Sequence, residues 1–222
     1  QHGTAIVVLA ALKNSLKLVK KDISSVKIVM SGAGAAGTAV ARLLVKSGAK
    51  NIVAFDKDGV INGSRNREDE MRAWFIDHSN PMNFAGNLHE AMTGADVFIG
   101  VSAPNVLTEA DIASMGEKSI VFALANPDPE IDPVIARKYA AVVATGRSDQ
   151  PNQINNVLAF PGIFRGLLDA QANQITDELL IAAANAIADC VSTSQLNASF
   201  IVPSVFDPQV VTKVAAAVKA SV

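Results

Sequence analysis

The stretch from Val29 to Asp56, "VMSGAGAAGTAVARLLVKSGAKNIVAFD", decides the fold. A short apolar run leads into a glycine-rich turn, a helical pattern follows, and a second apolar run closes on a carboxylate. Gly32-Ala33-Gly34-Ala35-Ala36-Gly37 fits G-x-G-x-x-G between a strand and a helix, the setting in which that pattern holds a dinucleotide. The first glycine permits the tight turn, the second lets backbone approach the pyrophosphate, and the third lets helix and strand pack closely. Ala35 and Ala36 then fall in the first helical turn, whose free N–H groups and positive dipole end face the phosphates. Asp56 ends the second strand, where a carboxylate hydrogen-bonds the adenosine ribose. The same charge repels a 2′-phosphate, so NAD is favoured over NADP. Lys57, Arg65 and Arg67 lie just beyond and would offset Asp56 if they turned toward it; they are expected to form an ordinary solvated loop.

Outward from this core, strands alternate with helices. Ile6, Leu9, Leu12, Leu16 and Val19 recur at helical spacing, with Lys13, Lys17 and Lys20 opposite, as in an amphipathic helix. "VKIVMSG", "NIVAFD", "DVFIGVSA", "SIVFALAN" and "AAVVAT" read as buried strands. "EDEMRAWFIDH" and "NLHEAMTG" read as helices, with Glu68, Asp69 and Glu70 at the start of the first, where acids suit the dipole. Thr108 with Asp111 forms a capping pattern, and Asp132-Pro133 and Asp207-Pro208 each announce a helix start. Further helices are expected from Val157 to about Ala172 and from Thr176 to about Ser192. The expected fold is α/β: a Rossmann-like, doubly wound, mainly parallel sheet with helices on both faces and extra helices at the C-terminal end. Beyond the carboxyl ends of its strands lie "VSAPN", with Ser102 and Asn105, and "ANPDPE", with Asn126. These small and amide residues either edge the nicotinamide or serve as turn formers.

Bulk properties set outer bounds. A length of 222 residues suits one domain with helical additions, and half of them are apolar. The net charge of -2 and the lack of a dense Lys/Arg block give no electrostatic footprint for nucleic acid. Cys190 is the only cysteine, so no internal disulfide and no cysteine metal cluster can form, and a reduced, cytoplasmic setting is expected. Lys, Asp or Gly interrupts every apolar stretch before it could span a bilayer, so no membrane association is expected. The chain opens at Gln1 rather than Met, with no signal-like segment. It reads as a piece of a longer protein, the alternative being a trimmed terminus.

A hydride-transferring enzyme needs a base, and the residues offer no persuasive one. His2, His78 and His89 follow no buried strand and are expected at the surface. Lys138 and Tyr139 are adjacent, and adjacent helical residues do not share a face. No His, Asp or Glu grouping has metal-ligand spacing. Ser148-Asp149 fits a loop cap.

Several segments together resemble the malic enzymes, especially the shorter bacterial type. They are "QHGTAIVVLAAL", "SGAGAAG", "FDKDGVI", "ANPDPEI", "ATGRSDQPNQINNVLAFPGIFRG" and the alanine-rich helix ending, in family order and over essentially the whole chain. The resemblance implies that residues 1–222 are the NAD(P)-binding Rossmann domain of such an enzyme. It also implies that the catalytic lysine and tyrosine, and the carboxylates holding Mg or Mn, precede Gln1 in an N-terminal domain of the parent. No catalytic or metal-binding residue is then expected in this chain. The implied reaction is oxidative decarboxylation of (S)-malate to pyruvate and carbon dioxide with reduction of NAD. Asn126, Asn155 and Asn156 carry over as groups contacting malate or the nicotinamide ribose, although Asn155 and Asn156 also suit helix capping before "VLAF". Arg147 and Arg165 either partner a carboxylate or, as is expected, link their segment to a neighbouring element. The motifs do not separate a malic from a malolactic enzyme, and a non-catalytic NAD-binding module is a further reading. The parent is expected to be a dimer or larger.

Overall fold

The computed structural model describes residues 1–222. Six strands form one sheet in the order β3-β2-β1-β4-β5-β6: β1 Lys27–Ser31, β2 Asn51–Asp56, β3 Gly59–Val60, β4 Val97–Gly100, β5 Ile120–Ala123 and β6 Val142–Thr145. All neighbours run parallel except β3, which returns antiparallel on β2 through Phe55–Val60 and Asp56–Gly59. This is the Rossmann-like sheet expected from the strand–helix alternation, with β3 a small addition at its edge.

The strands are apolar along their length because both faces are covered. On one face Ile28, Met30, Ile52, Val97, Ile99 and Phe122 join the larger core cluster with α1 (His2–Val19), α2 (Ala35–Lys46) and the late helices α7 (Phe160–Ala170), α8 (Asp177–Ala188) and α9 (Pro208–Ala220). On the other, Val29, Val53, Phe98 and Val121 pack with α4 (Leu88–Met92), α5 (Glu109–Ala113) and α6 (Pro133–Ala136). The remaining helix, α3 (Glu70–His78), sends Phe75 into the larger cluster.

Caps set the helix starts. Asp69, Asn87, Thr108, Asp132, Thr176 and Asp207 each accept a backbone N–H in the first turn, satisfying a donor that has no intrahelical partner. Asn87 with Glu90, and Thr108 with Asp111, form complete capping boxes. The helix expected from Val157 instead divides into a short 3-10 turn, Asn156–Leu158, and α7.

One expectation is corrected. The helix α1 was expected to be amphipathic, yet Ile6 to Leu12 are all essentially inaccessible, on every side of the helix. It runs between α2, α8 and the 3-10 turn, so its whole first half is core. Lys13 is drawn into this setting by a hydrogen bond to the Asn185 side-chain oxygen. Two buried amides close the C-terminal segment over the same region. Asn14 donates to the Ala188 and Ile201 carbonyls, while Asn152 donates to Val143 and Ala198 and accepts from the Ile201 amide.

Candidate dinucleotide site

The glycine turn follows β1 and opens α2. Gly32 adopts φ +104, and a Cβ there would lie 2.6 Å from the Val101 carbonyl oxygen. A Cβ on Gly37 would lie 1.9 Å from the Gly32 oxygen, so the turn itself forbids one. Gly34 differs: a Cβ there meets nothing within 4 Å. The fold therefore requires two of the three glycines, whereas the second keeps open space at the N-terminus of α2. That is where a pyrophosphate would lie against free N–H groups.

The open space belongs to a groove of about 1110 Å³ along the carboxyl ends of β1, β2 and β4. Its walls include Gly32, Gly34, Asp56, Arg65, Arg72 and Ser102. Ser102 Oγ lies 2.8 Å from Ser31 Oγ, joining the ends of β4 and β1 across the groove floor. Its volume suits a ligand of dinucleotide size, since pockets for drug-sized ligands run to about 300–1,000 Å³.

At the end of β2, Asp56 does not stand alone. Arg65 donates to both of its oxygens at 3.0 and 3.1 Å, Arg72 Nε donates to Oδ2 at 3.2 Å, and the Asp58 amide donates to Oδ1 at 2.9 Å. The expectation of a solvated loop fails for Arg65, whose side chain is only 20% exposed. It does describe Arg67, which turns out to Asp77. Arg72 was read only as part of a helix; its side chain leaves α3 and joins the same carboxylate. Capping by Asp69 sets the register that aims it there. A carboxylate has about four lone-pair positions, so these bonds occupy much of Asp56's acceptor capacity and offset much of its charge.

The amide candidates are distributed along the same edge. Asn126 is exposed three residues beyond β5. Ile154 donates to the Thr145 carbonyl at the end of β6, which brings the following Asn155 and Asn156 to that edge. Asn155 caps the 3-10 turn through Val157 N, and the Asn156 oxygen accepts from Thr4 near the start of α1. Asn155 thus does act as a cap, with its amide nitrogen not engaged by that bond. Arg147 and Arg165 were expected to reach neighbouring elements. Instead each closes on its own segment, Arg147 on Asp149 and Arg165 on Asp169 one helical turn away. The Arg147 guanidinium pulls the Asp149 carboxyl down to about 2.

Groups considered as bases lie elsewhere. His78 stacks on Trp74, and His89 bonds Asp111. Lys138 and Tyr139 both reach Glu109 on the surface despite their adjacency. None of these lines the groove. No three His, Cys, Asp or Glu side chains gather as a metal site.

Two residues of the site were not singled out from sequence. Arg72 carried no signal beyond helical spacing. Glu130 stood in the quoted "ANPDPE", and the apolar Ile131 beside it hinted at burial; its carboxylate is fully buried behind the groove, accepting from Ser102 and Ala125.

The fold and groove define a dinucleotide-binding domain of the Rossmann class. The particular family follows from comparison: the family described as "Malic enzyme, NAD binding domain" matches residues 1–222, and the chain belongs to it. It is 50% identical over 218 residues to an NAD-dependent malic enzyme of Geobacillus stearothermophilus, covering 98% of this chain and 46% of that protein. It is 49% identical to a bifunctional malic/malolactic enzyme of Bacillus subtilis, covering 98% of this chain and 54% of that one. The crystal structure of an NAD-dependent malic enzyme from Thermotoga maritima superposes with a TM-score of 0.93 at 44% identity, over 99% of this chain and 58% of that chain. The chain therefore spans about half the length of the relatives it matches. No helix is long and apolar enough to cross a membrane.

Proposed function

We propose that this chain is the cofactor-binding part of a malic enzyme whose parent oxidatively decarboxylates (S)-malate to pyruvate and carbon dioxide. The observation that carries the cofactor role is the contrast among the glycines: Gly32 and Gly37 are held by the fold, and Gly34 is left with open space at the mouth of α2. When bound, NAD supplies the hydride acceptor. The chain's own residues bind and orient it. The α2 N-terminus receives the pyrophosphate, the β2 end with Asp56, Arg65 and Arg72 receives the adenosine ribose, and the nicotinamide half runs the other way over the ends of β4 and β5. Ser102 and Asn126 edge that half. Asn155 and Asn156 orient the malate carboxylate with uncharged amides, which bind an anion without adding charge along the hydride path.

The base for the malate hydroxyl, the acid for the enol and the carboxylates for Mg or Mn belong to an N-terminal domain of the parent. Membership of the malic enzyme family supports this division, and His78, His89, Lys138 and Tyr139 do not line the groove. In the parent the two domains close on malate, in a dimer or larger assembly. Titration of NAD into the chain by calorimetry tests the cofactor role: saturable one-to-one binding supports it and no binding rejects it. A malolactic outcome is the second reading, favoured by the likeness to the bifunctional Bacillus subtilis enzyme. Assay of the parent separates the two, since net NADH with pyruvate marks a malic enzyme and lactate without net NADH marks a malolactic one.

A further inference from the structure

Behind the groove lies a carboxylate to which the proposed function gives no role. Glu130 is 0% exposed. Its oxygens are met by neutral donors: Ser102 N at 2.9 Å and Ser102 Oγ at 3.3 Å on Oε1, and Ala125 N at 3.0 Å on Oε2. One oxygen therefore holds the loop after β4 and the other holds the loop after β5. Backbone bonds reinforce the junction, Leu107 N to the Glu130 carbonyl at 3.0 Å and Asn105 N to Pro129 at 3.1 Å. Strand β4 makes way for it: a Cβ on Gly100 would fall 2.3 Å from the Glu130 carboxyl carbon.

A buried carboxylate without a partner cation is costly, and a neutral or apolar side chain would fill the same space at less cost. Burial pushes the Glu130 carboxyl above its ordinary range, opposed by the Ser102 and Ala125 amides. What only an anionic carboxylate supplies is two acceptor oxygens on one rigid fork, each facing a different loop. The two loops it joins carry Ser102, on the groove wall, and Asn126, next in sequence to Ala125. The adenosine end, with Asp56, Arg65 and Arg72, makes none of these bonds.

We propose that Glu130 is a positioning residue that keys the loops after β4 and β5 to each other, and so fixes the seat of the nicotinamide half of the cofactor without acting on the adenosine half. This rests on the groove being the dinucleotide site.

The test compares NAD with ADP-ribose, which lacks the nicotinamide, by calorimetric titration of the full chain and of Glu130→Gln. Glutamine matches the volume but offers one acceptor oxygen. Its NH₂ would face the N–H of Ser102 or Ala125, releasing one loop. NAD affinity should fall on the order of tenfold, as for loss of a charged hydrogen bond, while ADP-ribose affinity stays within about twofold. Circular dichroism checks the fold. Equal loss for both ligands would make Glu130 a general scaffold residue and overturn the proposal; unchanged NAD affinity, or a wild-type chain that holds NAD no better than ADP-ribose, would overturn it too. Glu130→Asp, with two acceptors on a shorter arm, should show the same selective loss to a smaller degree and serves if Glu130→Gln does not fold. A wild-type chain that binds neither ligand would reject the dinucleotide site itself. Binding of both, with a ratio that Glu130→Gln does not move, rejects only the role of Glu130.

Discussion

Arg65 closes on Asp56 with one guanidinium nitrogen 3.0 Å from Oδ2 and 3.1 Å from Oδ1, at the end of β2, the strand proposed to meet the adenosine ribose. With Arg72 on the same carboxylate, the anion expected to exclude a 2′-phosphate faces two cations. The preference for NAD over NADP should therefore be modest, less than about tenfold, below the ~1.5–3 kcal/mol of a single charged hydrogen bond. Asp56→Ala leaves both guanidiniums with only Asp58 nearby, at 3.6 and 3.7 Å, and should invert the preference toward NADP. Titration of both cofactors into both proteins checks this. A preference for NAD of about a hundredfold or more in the wild type, the full worth of such a bond, would mean that the arginines do not compensate Asp56.

Gly34→Val should abolish NAD binding in a protein that still folds. The new Cβ meets no protein atom within 4 Å and the side chain occupies space that the pyrophosphate needs. Gly37→Ala is the control of opposite sign, since its Cβ collides with the Gly32 carbonyl and should lower thermal stability. A folded Gly34→Val chain with unchanged NAD affinity would place the dinucleotide elsewhere.

Asp111 links α4 to α5, accepting from the Thr108 amide and hydroxyl at 2.7 Å and from His89 Nδ1 at 2.9 Å. Burial alone would raise its pKa, but the Thr108 bonds and His89 together hold it below the ordinary value of 3.8. A depressed carboxyl pKa adds stability that is present above the unfolded-state pKa and disappears as pH falls through the folded-state value. Asp111→Ala should therefore cost about 1–2 kcal/mol near neutral pH, as expected for a lost capping interaction. That difference should shrink below about pH 4. Denaturant melts of both proteins at several pH values read it directly; a difference that grows on acidification would contradict this sign.

The chain alone, supplied with malate, NAD and Mn, should generate no NADH above background. The groove's carboxylates, Asp56, Asp58 and Asp69, and Lys57 gather around the β2 end, away from the β4 and β5 ends proposed for the nicotinamide. No base is therefore placed for the malate hydroxyl, and general-base catalysis is typically worth about 10²–10⁴-fold. The amides of Asn126, Asn155 and Asn156, proposed to orient a carboxylate, accept no proton at neutral pH. Absorbance at the NADH band over time is the measurement. Clear metal-dependent turnover would return attention to Lys138 and Tyr139, with Tyr139→Phe as the first check.

What the sequence by itself determined is what depends on near neighbours. Apolar runs and helical spacing set the strands and most helices. Thr108 with Asp111 and the Asp-Pro pairs set helix starts, because a cap involves residues within one turn. The glycine turn was legible for the same reason, since Gly32 takes a positive φ and a Cβ on Gly37 would meet the Gly32 carbonyl within a single loop and helix start. The motifs around Asn126 and the Asn155-Asn156 pair carried the family, which matches over the whole chain.

Only the tertiary structure decided how charge is arranged around the groove. Arg65 and Arg72 lie 9 and 16 residues from Asp56 and meet it because the loop before α3 and the first turn of α3 return to the β2 end. Glu130 lies 28 residues from Ser102 and reaches it only because β4 and β5 are neighbours and Gly100 leaves room. The enclosure of α1 had the same origin: its own spacing marked one apolar face, while helices from the far end of the chain covered the rest. Periodicity reports which side of an element is apolar. Which elements and charges come to lie against it is set by the order of strands in the sheet, and no local pattern encodes that order.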